Sequence, residues 1–258
     1  MRERGWQRRL GPPLLALLLL LTCLSPGTAL AAFQASVYSN KTAFDRCDGT
    51  PSDIPDRIRI AARDGFAFLG YAATSFTGTG FDKANVLART PADAGIYVHS
   101  HGDWYGAYDH AGFRDDDGDC AQAVVYSTEI RARKDAAGAV AGQLVIMSTC
   151  HLAEAPPKAG ALSMNLAYDI ERQKGMPDGS NFRGPEFYLG YVGVAWTNEM
   201  LAFEQNFWKY MRAGYSVGGA FDRSRRDTAL PNGTRPDWFG QYTWMGRPGP
   251  WPSCPDCL

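Results

Sequence analysis

Five short runs of apolar residues, 67–73, 96–100, 123–127, 144–148 and 187–194, constrain this chain more than anything else in it. None is long enough to be a helix that buries a stripe over several turns. Several, Leu-Val-Ile-Met at 144–147 most clearly, are apolar at successive positions rather than at every second one. A strand written that way is covered on both faces, the usual condition of strands in a parallel sheet. Between the runs the period changes to that of a helix. Over 199–213, Phe203, Phe207, Tyr210 and Met211 share a face, with Asn198 as N-cap and Gly214 as stop. Segments 82–89 and 217–227, the second capped by Ser216, read as shorter helices. Strands interleaved with helices predict an α/β layered fold with a mostly parallel central sheet flanked by helices.

A chain of 258 residues, 45% hydrophobic, can close such a core without help from a metal or a second copy. Residues 1–31 read as a signal peptide: Arg2, Arg4, Arg8 and Arg9 precede a leucine-rich run and then Ala29-Leu30-Ala31. The expected organisation is therefore a leader at 1–31, an N-terminal extension at 32–64, the α/β domain at 65–230 and an irregular tail at 231–258. The mature protein is expected to be secreted, periplasmic or extracellular, with no membrane partner once the leader is gone. The formal net charge of -1 becomes more negative when the leader's arginines leave, which argues against a nucleic-acid partner.

Export gives the cysteines meaning. Without Cys23, five remain: Cys47, Cys120, Cys150, Cys254 and Cys257. An odd number in an oxidising compartment leaves one thiol unpaired. Cys150 is the one expected to be free. Cys47, Cys120, Cys254 and Cys257 admit three connectivities, Cys47 with Cys120 and Cys254 with Cys257 being the first of them. Cys150 closes the strand-like run at 144–149, where a thiol is either an inert core residue or a nucleophile at the rim of a sheet. His101 stands at the end of another run, in Ile-Tyr-Val-His-Ser-His-Gly-Asp-Trp at 96–104, 49 residues before Cys150. Open parallel sheets hold their ligands at such strand ends, and an imidazole facing a thiol across two of them can take its proton.

These residues resemble the caspase-like cysteine peptidases of clan CD, which include caspases, gingipains, legumains, separases and CHAT-domain peptidases. One apolar strand ends in His101-Gly102 and a second in Ser148-Thr149-Cys150. Residues 187–227, FYLGYVGVAWTNEMLAFEQNFWKYMRAGYSVGGAFDRSRRD, are similar to the strand, helix and short helix that follow the cysteine in CHAT and gingipain-like domains. The resemblance implies a caspase-like layered fold and hydrolysis of a peptide or protein substrate through a thioacyl intermediate, with no cofactor. It implies His101 as general base and acid, Cys150 as nucleophile, and the backbone N–H groups of Gly102 and Cys150 as oxyanion donors. Asp103 is a further candidate, as an orienting group for His101, although an Asp after Gly in a loop is ordinarily a turn residue. The caspase Gln-Ala-Cys-x-Gly pattern is absent, since His151-Leu152 follows Cys150, and the position two before it is Ser148 rather than acidic. No preference for a particular residue before the scissile bond is implied.

Two rivals arise from the same residues. His99 and His101, two apart on a strand end, could bind zinc in a hydrolase with a nearby Asp, although the patterns of known zinc sites break at Gly102 and Trp104. No metal ligand is therefore assigned. A non-catalytic binding protein could instead use Trp104, Tyr105, Tyr108, Trp238, Tyr242, Trp244 and Trp251. The acidic stretch 115–119 lacks the glycine position and distal Glu of a calcium loop and reads as solvated. Asn40-Lys-Thr and Asn232-Gly-Thr match the glycosylation sequon.

Overall fold

The computed structural model describes residues 33–47, 52–105, 110–118, 120–137, 144–154, 162–168 and 187–240. The expected signal peptide, Cys254, Cys257, the Tyr105 side chain, Tyr108, Tyr242, Trp244 and Trp251 lie outside the described residues. Described residues form nine strands: β1 (Gln34–Ser39), β2 (Ala72–Phe76), β3 (Gly95–His99), β4 (Gly102–Tyr105), β5 (His110–Arg114), β6 (Val124–Tyr126), β7 (Leu144–Ser148), β8 (Phe187–Val192) and β9 (Arg235–Gly240). The helices are α1 (Ile54–Phe68), α2 (Lys83–Arg89), α3 (Ser127–Ala137), α4 (Met164–Ala167), α5 (Thr197–Arg212) and α6 (Val217–Asp227). Six strands make one sheet in the order β2-β1-β3-β7-β8-β9, parallel throughout except for β9 at the edge. The other three form a small antiparallel sheet, β4-β5-β6.

Both faces of the main sheet are covered, which is why its strands are apolar at successive positions. Tyr97, Leu144, Ile146, Phe187, Leu189 and Tyr191 pack with α1, α5 and α6. Ile96, Val98, Val145, Met147 and Tyr188 turn the other way, onto α2, α3, α4 and the small sheet. The result is the expected α/β fold with a mostly parallel central sheet between helices. Among the described residues no helix is long and apolar enough to cross a membrane.

The helices expected at 82–89 and 217–227 form, with Asp82 accepting from the Asn85 N–H and Ser216 from the Gly219 N–H. The strand expected at 144–148 forms at those residues. The run 67–73 does not form one strand. Its first two residues finish α1, Gly70 adopts a left-handed φ of 92°, and the Tyr71 N–H bonds back to the Phe66 carbonyl, which closes the helix before β2 begins. Helix α5 starts one residue before the proposed cap: Trp196 holds the N-cap position without a side-chain bond, and Asn198 lies inside the helix. The segments read as an extension and as an irregular tail contribute β1, α1 and β9 to the sheet and its cover.

One contact within the helical layer fixes how closely α1 and α5 approach. A Cβ added at Gly65 would sit 2.2 Å from Cε3 of Trp208, a ring that is itself buried between Phe66 and Phe207. On an exposed helix Gly→Ala would stabilise by about 1 kcal/mol. Here overpacking outweighs propensity, and Gly65→Ala is expected to destabilise the fold by about 1–3 kcal/mol in chemical denaturation. A variant as stable as the parent would show that the Trp208 ring has room to retreat.

Candidate active site

The order of strands decides where a site can form. The chain runs from β1 outward to β2 and then returns past β1 to β3, so the connections diverge between β1 and β3, and ligands of open α/β sheets bind beyond the carboxyl ends at such a point. Four segments reach that rim: 40–47 after β1, 99–102 after β3, 148–154 after β7 and 193–196 after β8. Strands β3 and β7 are parallel neighbours in a register offset by 49 residues, His99 opposite Ser148. His101 and Cys150 carry the same offset, so each lies two residues beyond a paired strand end. The backbones remain in touch there. A Cβ added at Gly102 would lie 2.6 Å from the Cys150 carbonyl oxygen and 2.9 Å from Thr149 Oγ1, so glycine is what lets the two segments approach.

Cys150 is the free cysteine among the described residues, while Cys47 and Cys120 are disulfide-bonded. Its Sγ accepts from the Ala195 N–H at 3.4 Å and faces the Ala195 carbonyl at 3.7 Å. Burial pushes the Cys150 thiol above its ordinary range; the Ala195 N–H opposes this and the Asp103 charge adds to it. The resting sulfur is therefore a neutral thiol, and nucleophilic chemistry here requires a base. Immediately afterwards the chain bends: His151 has φ 62°, the one non-glycine positive φ among the described residues. Its N–H bonds the Gly193 carbonyl at 2.9 Å, its Nδ1 lies 2.6 Å from Glu154 Oε1, and that oxygen also accepts the Gly193 N–H. A left-handed residue costs about 1–3 kcal/mol and persists only where its surroundings hold it, as they do here. The bend presents Cys150 at the rim instead of continuing β7.

His101 is half-buried, its ring centroid 4.7 Å from that of Phe44. His99 is buried completely. Its Nδ1 meets the Ser148 carbonyl and hydroxyl at 3.1 Å, its ring stacks on the same Phe44 at 4.8 Å, and burial lowers its pKa to about 4, so it is neutral. Asp103 is exposed and accepts the N–H of its neighbour Trp104 at 2.7 Å, but it lies in strand β4, paired with Gly112, and not in the expected turn. Among the described residues no group of three or more His, Cys, Asp or Glu is arranged to hold a metal ion.

Beneath the rim lies a buried polar cluster that periodicity gave no reason to expect. Glu204, on the inner face of α5, accepts from the hydroxyls of Tyr97 and Tyr191, the second at 2.9 Å, with the Ser148 hydroxyl also lowering its pKa. Burial prevails over these donors and raises the carboxyl to about 7. Hydrogen bonds satisfy the group, and among the described residues none of the ion pairs involves it.

The acidic stretch is not solvated as expected. Asp115 and Asp116 are buried, 2% and 0% exposed. Asp115 accepts from the Lys83 and Ala123 N–H groups, and Asp116 from those of Lys41, Thr42 and Gly78. A carboxylate holding several backbone donors is a fastener for loops. Asn40 is buried and bonded to Ser100 and Asp115, so the folded chain does not offer it as a glycosylation acceptor. Of the aromatics considered for binding, Trp238 stacks at 5.3 Å on Phe187 and packs on the core, as does Trp104.

Segment 193–196 went unremarked in the sequence, read only as the end of a strand. It carries the Ala195 backbone that meets Cys150, flanked by Val194 and Trp196, which are 63% and 52% exposed. Gly193 after an apolar run was the one available signal, since its φ of 69° ends the strand and turns the segment toward Cys150. No protein-family model matches the chain, and no curated protein matches it. Among solved structures it is similar to the crystal structure of protein GSU0716 from Geobacter sulfurreducens, at 16% identity and a TM-score of 0.47 over 87% of this chain and 98% of that one.

Proposed function

We propose that the chain is an exported cysteine peptidase of the caspase-like type, with Cys150 as nucleophile and His101 as general base and acid. One observation carries this reading: β3 and β7, parallel neighbours offset by 49 residues, deliver His101-Gly102 and Cys150 to one rim with Gly102 against the Cys150 backbone. The α/β layering, the Cys47–Cys120 disulfide and the absence of a membrane-spanning helix among the described residues agree with it.

His101 takes the thiol proton as sulfur attacks the scissile carbonyl carbon. The carbonyl oxygen becomes an oxyanion facing the N–H groups of Gly102 and Cys150. Collapse expels the amine, which leaves with the proton held by the imidazolium, and a thioester remains on Cys150. Water, deprotonated by the same imidazole, attacks the thioester carbon; the C–S bond breaks, the acyl group leaves as the carboxylic acid, and the imidazolium returns its proton to the Cys150 sulfur. Val194 and Trp196 supply an apolar wall beside the sulfur for the substrate chain.

The test is alkylation of the native, unreduced protein followed by peptide mapping. Iodoacetamide is expected to mark Cys150 alone among Cys47, Cys120 and Cys150, slowly at pH 7 and faster as pH rises, because burial holds the thiol protonated. His101→Ala should slow the reaction at pH 7. A peptide-hydrolysing protein whose activity survives complete alkylation of Cys150 would remove it as the nucleophile and overturn the mechanism.

A further inference from the structure

The turn after β1 is largely buried and held by a dense set of hydrogen bonds. The Asn40 N–H bonds the His99 carbonyl at 2.8 Å, and its side-chain amide donates to the Asp115 carbonyl at 2.6 Å and to Ser100 Oγ at 3.2 Å. Its Oδ1 accepts the Ala43 N–H at 2.9 Å. Buried Asp116 takes the next two donors, those of Lys41 and Thr42. The chain then makes a π-turn, Ala43–Cys47, a rare conformation found frequently at functional sites, and ends it in the disulfide to Cys120. Within this turn the Phe44 ring lies against both His99 and His101, with interplanar angles of 17° and 33°.

We propose that Phe44 is a positioning residue, the plate that fixes the ring plane of His101, and that the Cys47–Cys120 disulfide and Asp116 together anchor that plate. The inference rests on the peptidase reading for its consequence in turnover, though not for its geometry. Stacked aromatic rings prefer defined offsets, and an imidazole held on a rigid plate loses rotational freedom. The lower side of the arrangement is equally fixed, since His99 is bonded through Nδ1 to Ser148 on the neighbouring strand. The disulfide spans 73 residues of sequence, and it ties the plate to the connection between β5 and β6, the same segment that carries Asp115 and Asp116.

Three variants of the full chain test this: Phe44→Leu, Phe44→Tyr, and Cys47→Ala with Cys120→Ala. Phe44→Leu is expected to lower kcat roughly 10- to 100-fold with KM within about twofold, the pattern of a misplaced catalytic group in a site that still binds. Phe44→Tyr should restore kcat, and the double cysteine variant should fall between the two. Independently of activity, the ring-current shift of the His101 proton resonances should be present in the parent, lost in Phe44→Leu and retained in Phe44→Tyr. Unchanged kcat in Phe44→Leu, or a raised KM with kcat intact, would overturn the positioning role. If the parent hydrolyses no peptide, the peptidase reading falls, while the resonance shifts still decide whether Phe44 holds His101.

Discussion

Cys150→Ala is expected to lower peptide hydrolysis by roughly a thousandfold or more, the scale of loss when a nucleophile is removed from a comparable catalytic unit. Its thermal midpoint should stay close to the parent's, because the half-buried side chain sits at the margin of the core and its sulfur makes only weak hydrogen bonds, to the Ala195 backbone. Gly102→Ala separates catalytic geometry from the thiol itself. Its new Cβ would meet the Cys150 carbonyl and Thr149 at 2.6–2.9 Å, so the two rim segments must part. An oxyanion donor displaced in this way lowers kcat roughly 10²–10³-fold. Alkylation of Cys150 should still occur in that variant, since thiol and imidazole both remain. Full turnover by either variant, measured on a common peptide, would contradict the assignment.

The second large effect concerns stability and pH. Glu204 has a folded-state pKa of about 7 against an ordinary 4.5, so the native state holds a proton that the unfolded chain releases. Its contribution is complete below pH 4.5 and is lost as pH rises through 7. His99 acts in the opposite sense. Its pKa falls from 6.5 to about 4, so its contribution is present above pH 6.5 and lost as pH falls toward 4. Between pH 4.5 and 6.5 the two slopes oppose each other. Glu204→Gln removes one of them. Relative to the parent, it should gain about 3 kcal/mol of unfolding free energy between pH 4.5 and pH 8, at 1.36 kcal/mol per pKa unit. Urea titrations at a series of pH values measure the difference directly. A difference that does not change with pH would mean that Glu204 is ionised in the fold at its ordinary pKa.

The parts of the molecule that were readable from the sequence are those where one face or one cap decides the structure. Runs 96–100 and 144–148, and 187–194 as far as Val192, formed strands that are covered on both sides; Asp82 and Ser216 capped helices where a hydroxyl or carboxylate stood before the helical period. Helix α1 was unreadable for the opposite reason. Its Arg- and Asp-rich face hides the stripe of Ile58, Ala62 and Phe66, and its apolar end runs without a break in composition into β2, the boundary being a left-handed glycine. At the site, local sequence suggested His101, Gly102 and Cys150 because each ends or follows an apolar run. It could not supply Phe44, Asn40, Asp116 or Ala195, which act through neighbours far along the chain. The acidic stretch looked solvated because two successive carboxylates normally are; here four backbone N–H groups from three other segments, together with that of nearby Ala123, replace the water.

The wiring of the main sheet also bears on how the protein reaches its folded state. From β2 to β8 every neighbouring pair is parallel, so none can form as a hairpin, and even the antiparallel pair β8–β9 must wait for α5 and α6 between them. Pairings that close long loops carry their entropic cost before their reward, and proteins dominated by them fold slowly. Hairpin-scale contacts in this chain belong to β4-β5-β6, which borders the rim but contains neither the thiol nor the imidazole. Joining β3 to β7 across 49 residues is thus a late, global event, and Cys150 meets the His101-Gly102 segment only when it happens. A nascent or partly unfolded chain accordingly has not yet brought Cys150 against the His101-Gly102 segment.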